Sequence, residues 1–273
     1  MIPGKSYFYT LSVEGTTHVH SVKSDFKTRS KNELIFKGQA DNGDRRYILK
    51  ELHYELRDYE DPVLAQIAEL TNKVCSIYEE LDFSVSKFGE LIKIHNRKEI
   101  KGKWEKIKEW LTNTHPIESY EVIRAKEFEM SNEKMEIHNV KYIHFMQQYF
   151  FMLGRALQPG QNGTFRKDEM DRFGAGIAIP VHISYNSEQN EDGSYIKRFT
   201  GMMIKSNEAI ERLRKFTKND FMTPSYKMSG EYTYDKERIL TDSNFTITEE
   251  LGEHYYTHSY LNIKRNEDDK NEE

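Results

Sequence analysis

The sequence predicts an α+β fold: an antiparallel, curved sheet built from long hairpins, with inserted helices packed on one face. Three observations carry this. Apolar side chains alternate with period two near both ends of the chain, an Asn-Gly turn stands near residue 42, and helical periodicity dominates the middle. Hairpins, then helices, then hairpins is the order of an antiparallel α+β protein, not of a parallel βαβ sheet.

Tyr7, Tyr9, Leu11 and Val13 alternate with Phe8, Thr10 and Ser12, which predicts a first strand that turns at Glu14-Gly15-Thr16. His18, His20, Val22 and Phe26 then share one face of the next strand. Leu34-Ile35-Phe36 and Tyr47-Ile48-Leu49 flank Asp41-Asn42-Gly43-Asp44, a type I′ hairpin by its Asn-Gly. A helix is predicted from Asp61 and Pro62, with Leu64, Ile67, Ala68, Val74, Ile77 and Tyr78 at helical spacing. Leu81, Phe83 and Val85, a turn at Lys87–Glu90, and Ile92 and Ile94 give another hairpin. Asn96, with Glu99 three residues on, reads as the cap of a helix that buries Ile100, Trp104, Ile107 and Leu111.

Residues 117–158 are helical by pattern. Within them Met135–Leu157 is apolar around most of its axis, so one sheet face cannot cover it. Ile143, Met146, Phe150 and Leu153 form one stripe, and Phe145, Tyr149 and Met152 a second. The second stripe needs either the helix at 117–130, with Tyr120, Ile123 and Phe128, or a protein partner. Phe145, Tyr149 and Met152 are thus the candidate interaction residues. Gln158–Thr164, containing Pro159-Gly160, reads as a loop between an N-terminal half, 1–158, and a mainly β half, 165–265, in one continuous domain or two. In the second half Ile177–Tyr185 alternates as a strand, and Pro180 marks it as an edge. A strand at Tyr195–Ile204, a helix at Asn207–Phe216, and strands at Ser225–Tyr234, Arg238–Ile247 and His254–Ile263 complete it. Residues 266–273 hold five acids and one lysine and read as a disordered tail.

Composition excludes several classes. The 273 residues carry 40 Lys+Arg against 45 Asp+Glu, a net charge of −5, so no basic face for nucleic acid is implied. Aromatic residues reach 12%, too many for a wholly disordered chain, although mean hydropathy is −0.82. No apolar run is long enough for a membrane-spanning helix. The start, Met1-Ile2-Pro3-Gly4-Lys5, offers no apolar leader, so a cytoplasmic location is expected. One cysteine, Cys75, permits neither an internal disulfide nor a cysteine zinc site, and it reads as a small buried residue.

No phosphate-loop, dinucleotide or nucleophile-elbow motif occurs, and H-E-x-x-H is absent. No cofactor is therefore expected. His18 and His20 on one strand, with His254 and His258 on another, could approach a zinc ion if the strands were neighbours; semi-buried or surface imidazoles are the ordinary reading. Tyr7, Phe8 and Tyr9, with Met202, Met203, Met222, Met228, Tyr226, Tyr232 and Tyr234, could line an apolar ligand cavity or form the core.

Phe83-x-Val85-Ser86-x-x-Gly89-Glu90-Leu91-Ile92-x-Ile94-x-Asn96, followed by Glu99-Ile100 and Trp104, resembles proteins of Bacteroidota-type bacteria that share a hairpin, an Asn cap and a Trp-anchored helix. The resemblance covers about 30 residues, or 75 with the following helices, and carries no catalytic residue. It implies an accessory role beside a secretion or injection assembly. The reading is then a non-enzymatic adaptor with a protein partner or self-association. The alternatives are a carrier of a small apolar ligand in a half-open β cavity, and a metal-dependent hydrolase built on the paired histidines.

Overall fold

The structure, a computed structural model, describes residues 1–57, 70–116, 119–155 and 158–266. Eleven antiparallel strands form one sheet: β1 (Ser6–Val19), β2 (Val22–Gln39), β3 (Arg45–Arg57), β4 (Glu80–Val85), β5 (Leu91–Ile94), β6 (Asn162–Met170), β7 (Ala178–Gln189), β8 (Tyr195–Met203), β9 (Pro224–Tyr234), β10 (Leu240–Leu251) and β11 (Tyr255–Arg265). Their spatial order is β5-β4-β3-β2-β1-β11-β10-β9-β8-β7-β6. Each half is thus a meander of neighbouring hairpins, and the first and last strands of the chain pair at the centre and join the two halves. The sheet stays open between β5 and β6. Into that interval of sequence fall α1 (Arg97–Thr114), α2 (Tyr120–Ser131), α3 (Glu133–Val140) and α4 (His144–Tyr149); α5 (Asn207–Thr217) joins β8 to β9. Residues 70–75 are also helical. The helix start expected at Asp61 and Pro62, with Leu64, Ile67 and Ala68, lies outside the described residues, as does the acidic tail from residue 267.

One apolar core runs along the inner face of both meanders. Tyr7, Tyr9, Leu11 and Val13 bury as the period-2 pattern requires. The strand does not turn at Gly15, however. It continues to Val19, and His20, with φ +54°, closes the hairpin. Gly15 faces Phe26 across the pair, and a Cβ there would strike the Phe26 ring, so this glycine makes room and breaks nothing. The Asn42-Gly43 turn is where expected, pairing Leu34 with Leu49 and Phe36 with Tyr47. Of its two central residues only Gly43 has positive φ, because the Asn42 Oδ1 accepts from the Asp44 N–H and holds the turn instead.

The segment expected as one long helix, Met135–Leu157, is broken. α3 ends at Val140, α4 is short, and turns follow to residue 155. Of the three α2 residues expected to cover it, only Ile123 packs against the core, and Tyr120 and Phe128 are exposed. The sheet curls round it instead. The Phe150 ring lies 5.1 Å from Tyr47 on β3 and 5.5 Å from Phe83 on β4, while its neighbour Phe151 lies 4.6 Å from Phe199 on β8 and 6.1 Å from Phe165 on β6. Adjacent residues thus reach strands near the two opposite edges, which requires a strongly concave sheet. Buried polar bonds fix the segment: Gln148 Nε2 donates to Ser243 Oγ at 2.9 Å and to the Leu261 carbonyl at 3.2 Å, and the Tyr232 hydroxyl donates to the Gln148 carbonyl at 2.9 Å.

Three further expectations need correction. Asn96 does not cap α1: its Oδ1 accepts from the Asp82 N–H at 3.0 Å and its Nδ2 donates to the Glu80 carbonyl at 2.8 Å, tying the helix start to β4. Pro180 does not mark an edge, because β7 pairs with both β6 and β8. Its carbonyl accepts from Ile204 N just beyond the β8 ladder, so its missing N–H falls where no partner strand continues. Asn266 is not tail: its N–H donates to the Phe8 carbonyl.

Candidate functional site

β2 decides where the core gives way to space. Its inward positions read Ser24, Phe26, Thr28, Ser30 and Asn32 before Leu34 and Phe36. Short polar side chains under the covering helices cannot fill the gap to native density, and a cavity of about 730 Å³ results. Its walls are mostly apolar: Leu11, Leu49, Leu56, Leu81, Ile143 and Phe145 contribute from β1, β3, β4 and the start of α4. A volume of that size fits a drug-sized or lipid-sized ligand.

Polar groups converge at one part of the lining. Lys126 and Glu129 on α2 pair at 2.9 Å, and Tyr78, whose hydroxyl donates to Glu129 at 2.8 Å, lies under the Lys126 ammonium at 4.4 Å from its ring centre. Glu79 pairs with Lys103 at 2.7 Å. Ser30 and Asn32 are buried and satisfy one another through Asn32 Nδ2 and Ser30 Oγ at 2.8 Å. The side chains of Glu51 and His144, both titratable and both in the lining, make no hydrogen bond among the described residues. Burial, and then the neighbouring Glu79 carboxylate, pushes the Glu51 carboxyl up to about 7. Burial, and then Arg172, pushes the His144 imidazole down to about 4, so it is neutral at pH 7.

The Glu51 shift has a sign that can be measured. An unfolded chain ionises this carboxyl near 4.5, whereas the folded chain holds the proton to about 7. The stability carried by neutral Glu51 is therefore complete below pH 4.5 and is lost as pH rises through 7. Glu51→Gln should gain melting temperature relative to the native chain between pH 5 and pH 8. A difference that stays constant across that range would contradict the assignment.

The residues singled out in the sequence are distributed differently. Phe145, Tyr149 and Met152 are 1%, 7% and 0% exposed, so in this fold they offer no surface to a partner. Phe145 alone of the three reaches the cavity. His18 and His258 lie on the paired strands β1 and β11, His18 opposite Tyr256 and His258 opposite Thr16, and His20 and His254 stand in the turns beside them with their rings 6.0 Å apart. Among the described residues no group of three His, Cys, Asp or Glu side chains is placed to hold a metal ion. His20 Nε2 instead meets the Tyr255 hydroxyl, and His258 Nδ1 the Thr248 hydroxyl. Tyr7, Tyr9, Tyr226, Met228 and Tyr232 belong to the core and Met202 is exposed, so these residues do not wall this cavity, while Tyr234 lines a smaller pocket elsewhere. Cys75, expected to be buried, is accessible and lines the cavity, where desolvation pushes its thiol up.

No family model and no curated protein matches the sequence. Among solved structures the chain is similar to lipovitellin, in a structure of that protein's lipid–protein interactions. The superposition has a TM-score of 0.51 at 12% identity and covers 97% of this chain. The fold is shared with part of lipovitellin. This chain spans only 25% of the lipovitellin chain, so the likeness concerns the sheet architecture. An outer membrane channel from Pseudomonas putida F1 aligns over 97% of both chains at 8% identity, but its TM-score of 0.19 is too low to indicate a common fold. No helix among the described residues is long and apolar enough to cross a membrane.

Proposed function

We propose that the protein is a non-enzymatic carrier or sensor of an apolar or amphiphilic small molecule, held between the inner face of β1–β4 and the segments around Tyr78, Lys126 and Ile143. The observation that carries this reading is the cavity of about 730 Å³ with its apolar wall and its few convergent polar groups. The shared fold with part of lipovitellin, whose structure concerns lipid–protein interactions, is in keeping with such a ligand. The charges refine the ligand class. Among the described residues of the lining Glu129 is paired with Lys126 and Glu79 with Lys103, and Glu51 holds its proton to about 7, so no cation is left over and an uncharged or cationic headgroup suits the polar end better than a free carboxylate.

A fluorescent apolar probe such as N-phenyl-1-naphthylamine tests this. It should bind saturably, and monoolein should displace it at lower concentration than oleate. Leu49→Trp, which places an indole in the cavity, should weaken the probe about tenfold or more without lowering the melting temperature. Unsaturable binding, or equal binding by the variant, would sink the proposal.

A second reading, attachment to a protein partner or to another copy of the chain, has its support in α2, where Tyr120 and Phe128 are 63% and 65% exposed. It does not compete with the cavity, because these residues take no part in its lining.

A further inference from the structure

At the other end of β2 and β3 lies a second, smaller pocket of about 290 Å³, and its lining is unlike the first. β8 points Tyr195, Lys197 and Phe199 inward by its period-2 alternation. A lysine at such a position is unusual, since ammonium groups are almost never fully buried without a partner. Lys197 is 6% exposed and, among the described residues, makes no ion pair. Its ammonium donates to the Met152 carbonyl at 3.3 Å and stands 4.7 Å from the centre of the Tyr234 ring. The charges that act on it are those of Arg238, on the β9–β10 turn, and Arg45, at the start of β3, and both repel it. Both arginines line the same pocket, together with Gln39, Tyr149 and an exposed Glu237. Among the described residues, Lys197, Arg45 and Arg238 thus line one small space, with the Glu237 carboxylate at its rim.

We propose that this pocket binds a small organic oxyanion, a carboxylate or a phosphate ester, whose charge is met by Lys197 at the base and by Arg45 and Arg238 at the mouth. The aromatic walls, Tyr47, Tyr195 and Tyr234, suit a ligand with a flat or apolar body behind the charge. A bound anion supplies the counter-charge that the fold withholds from Lys197, and it does so where water is largely excluded, so the attraction is stronger than at a surface. Burial and the two arginines push the empty-pocket ammonium down to about 7, so protonation and anion binding reinforce one another. This site is independent of the apolar cavity, and neither reading needs the other.

Calorimetric titration of the full chain with benzoate and with phenyl phosphate, against sodium chloride at matched ionic strength, tests the proposal. One or both should bind saturably, and the one that binds names the headgroup. For benzoate, which is ionised throughout this range, affinity should be higher at pH 6 than at pH 8. Lys197→Met, which removes an unpaired buried cation and is expected to fold, should weaken binding about tenfold or more and abolish the pH dependence. Arg45→Gln, at the more exposed side, should weaken it less. Binding of N-phenyl-1-naphthylamine in the other cavity should be unchanged in both variants. Failure of both anions to bind, or undiminished binding by Lys197→Met and Arg45→Gln, would overturn it.

Discussion

Phe145→Glu is expected to leave the chain unfolded at 25 °C. Phe145 is 1% exposed, its ring stacked on Tyr149 at 5.3 Å and edge-on to Tyr9 at 5.9 Å. Losing such a ring costs about 3–5 kcal/mol, and an unpaired carboxylate in its place adds several more. Against a total stability of about 5–15 kcal/mol, little remains. Phe128→Glu on α2, at a residue 65% exposed, should change stability by about 0.5 kcal/mol or less. Circular dichroism melts of the two variants separate an enclosed segment from one at an interface. A Phe145→Glu chain that folded normally and merely lost an oligomer would restore the docking surface that this fold removes.

Trp104→Ala comes next in size, at about 3–5 kcal/mol, because Trp104 anchors the buried stripe Ile100, Ile107 and Leu111 of α1. Asn96 makes the contrast informative. Its two bonds to the β4 backbone predict a loss of about 1–3 kcal/mol for Asn96→Ala. Asn96→Asp decides the role. Asp is as good a helix cap as Asn, but it cannot donate to the Glu80 carbonyl and sets a negative charge beside it. A neutral Asn96→Asp would mean that the residue caps α1 after all. Chemical denaturation of the three variants gives the comparison.

The strands and α1 were legible because each is local: Tyr7 to Val13, Ile177 to Ile183 and Ile100 to Leu111 carry their period in a few residues. β6 was missed because its alternation is written largely in charged residues, Arg166, Lys167, Asp168 and Glu169, which the apolar pattern cannot register. The pairing of β1 with β11, and the curling of the sheet about Phe150 and Phe151, are contacts between residues far apart in sequence, and no local period encodes them. The cavity had a signal that reading strands one face at a time would have found. Ser24, Thr28, Ser30 and Asn32 occupy the inward positions of a long strand whose continuation, Leu34 and Phe36, is core. Lys197 between Tyr195 and Phe199 is the same kind of signal, a polar residue in phase with an apolar face.

The central claim is that the cavity beneath β1–β4 holds an apolar or amphiphilic molecule. Native mass spectrometry of the full chain, purified without detergent, tests it most directly. The account predicts a discrete added mass of lipid size, released when the protein is unfolded, uncharged or cationic in its headgroup, and missing from Leu49→Trp. The bare polypeptide mass in both proteins, with no saturable uptake of monoolein when it is supplied, would contradict it.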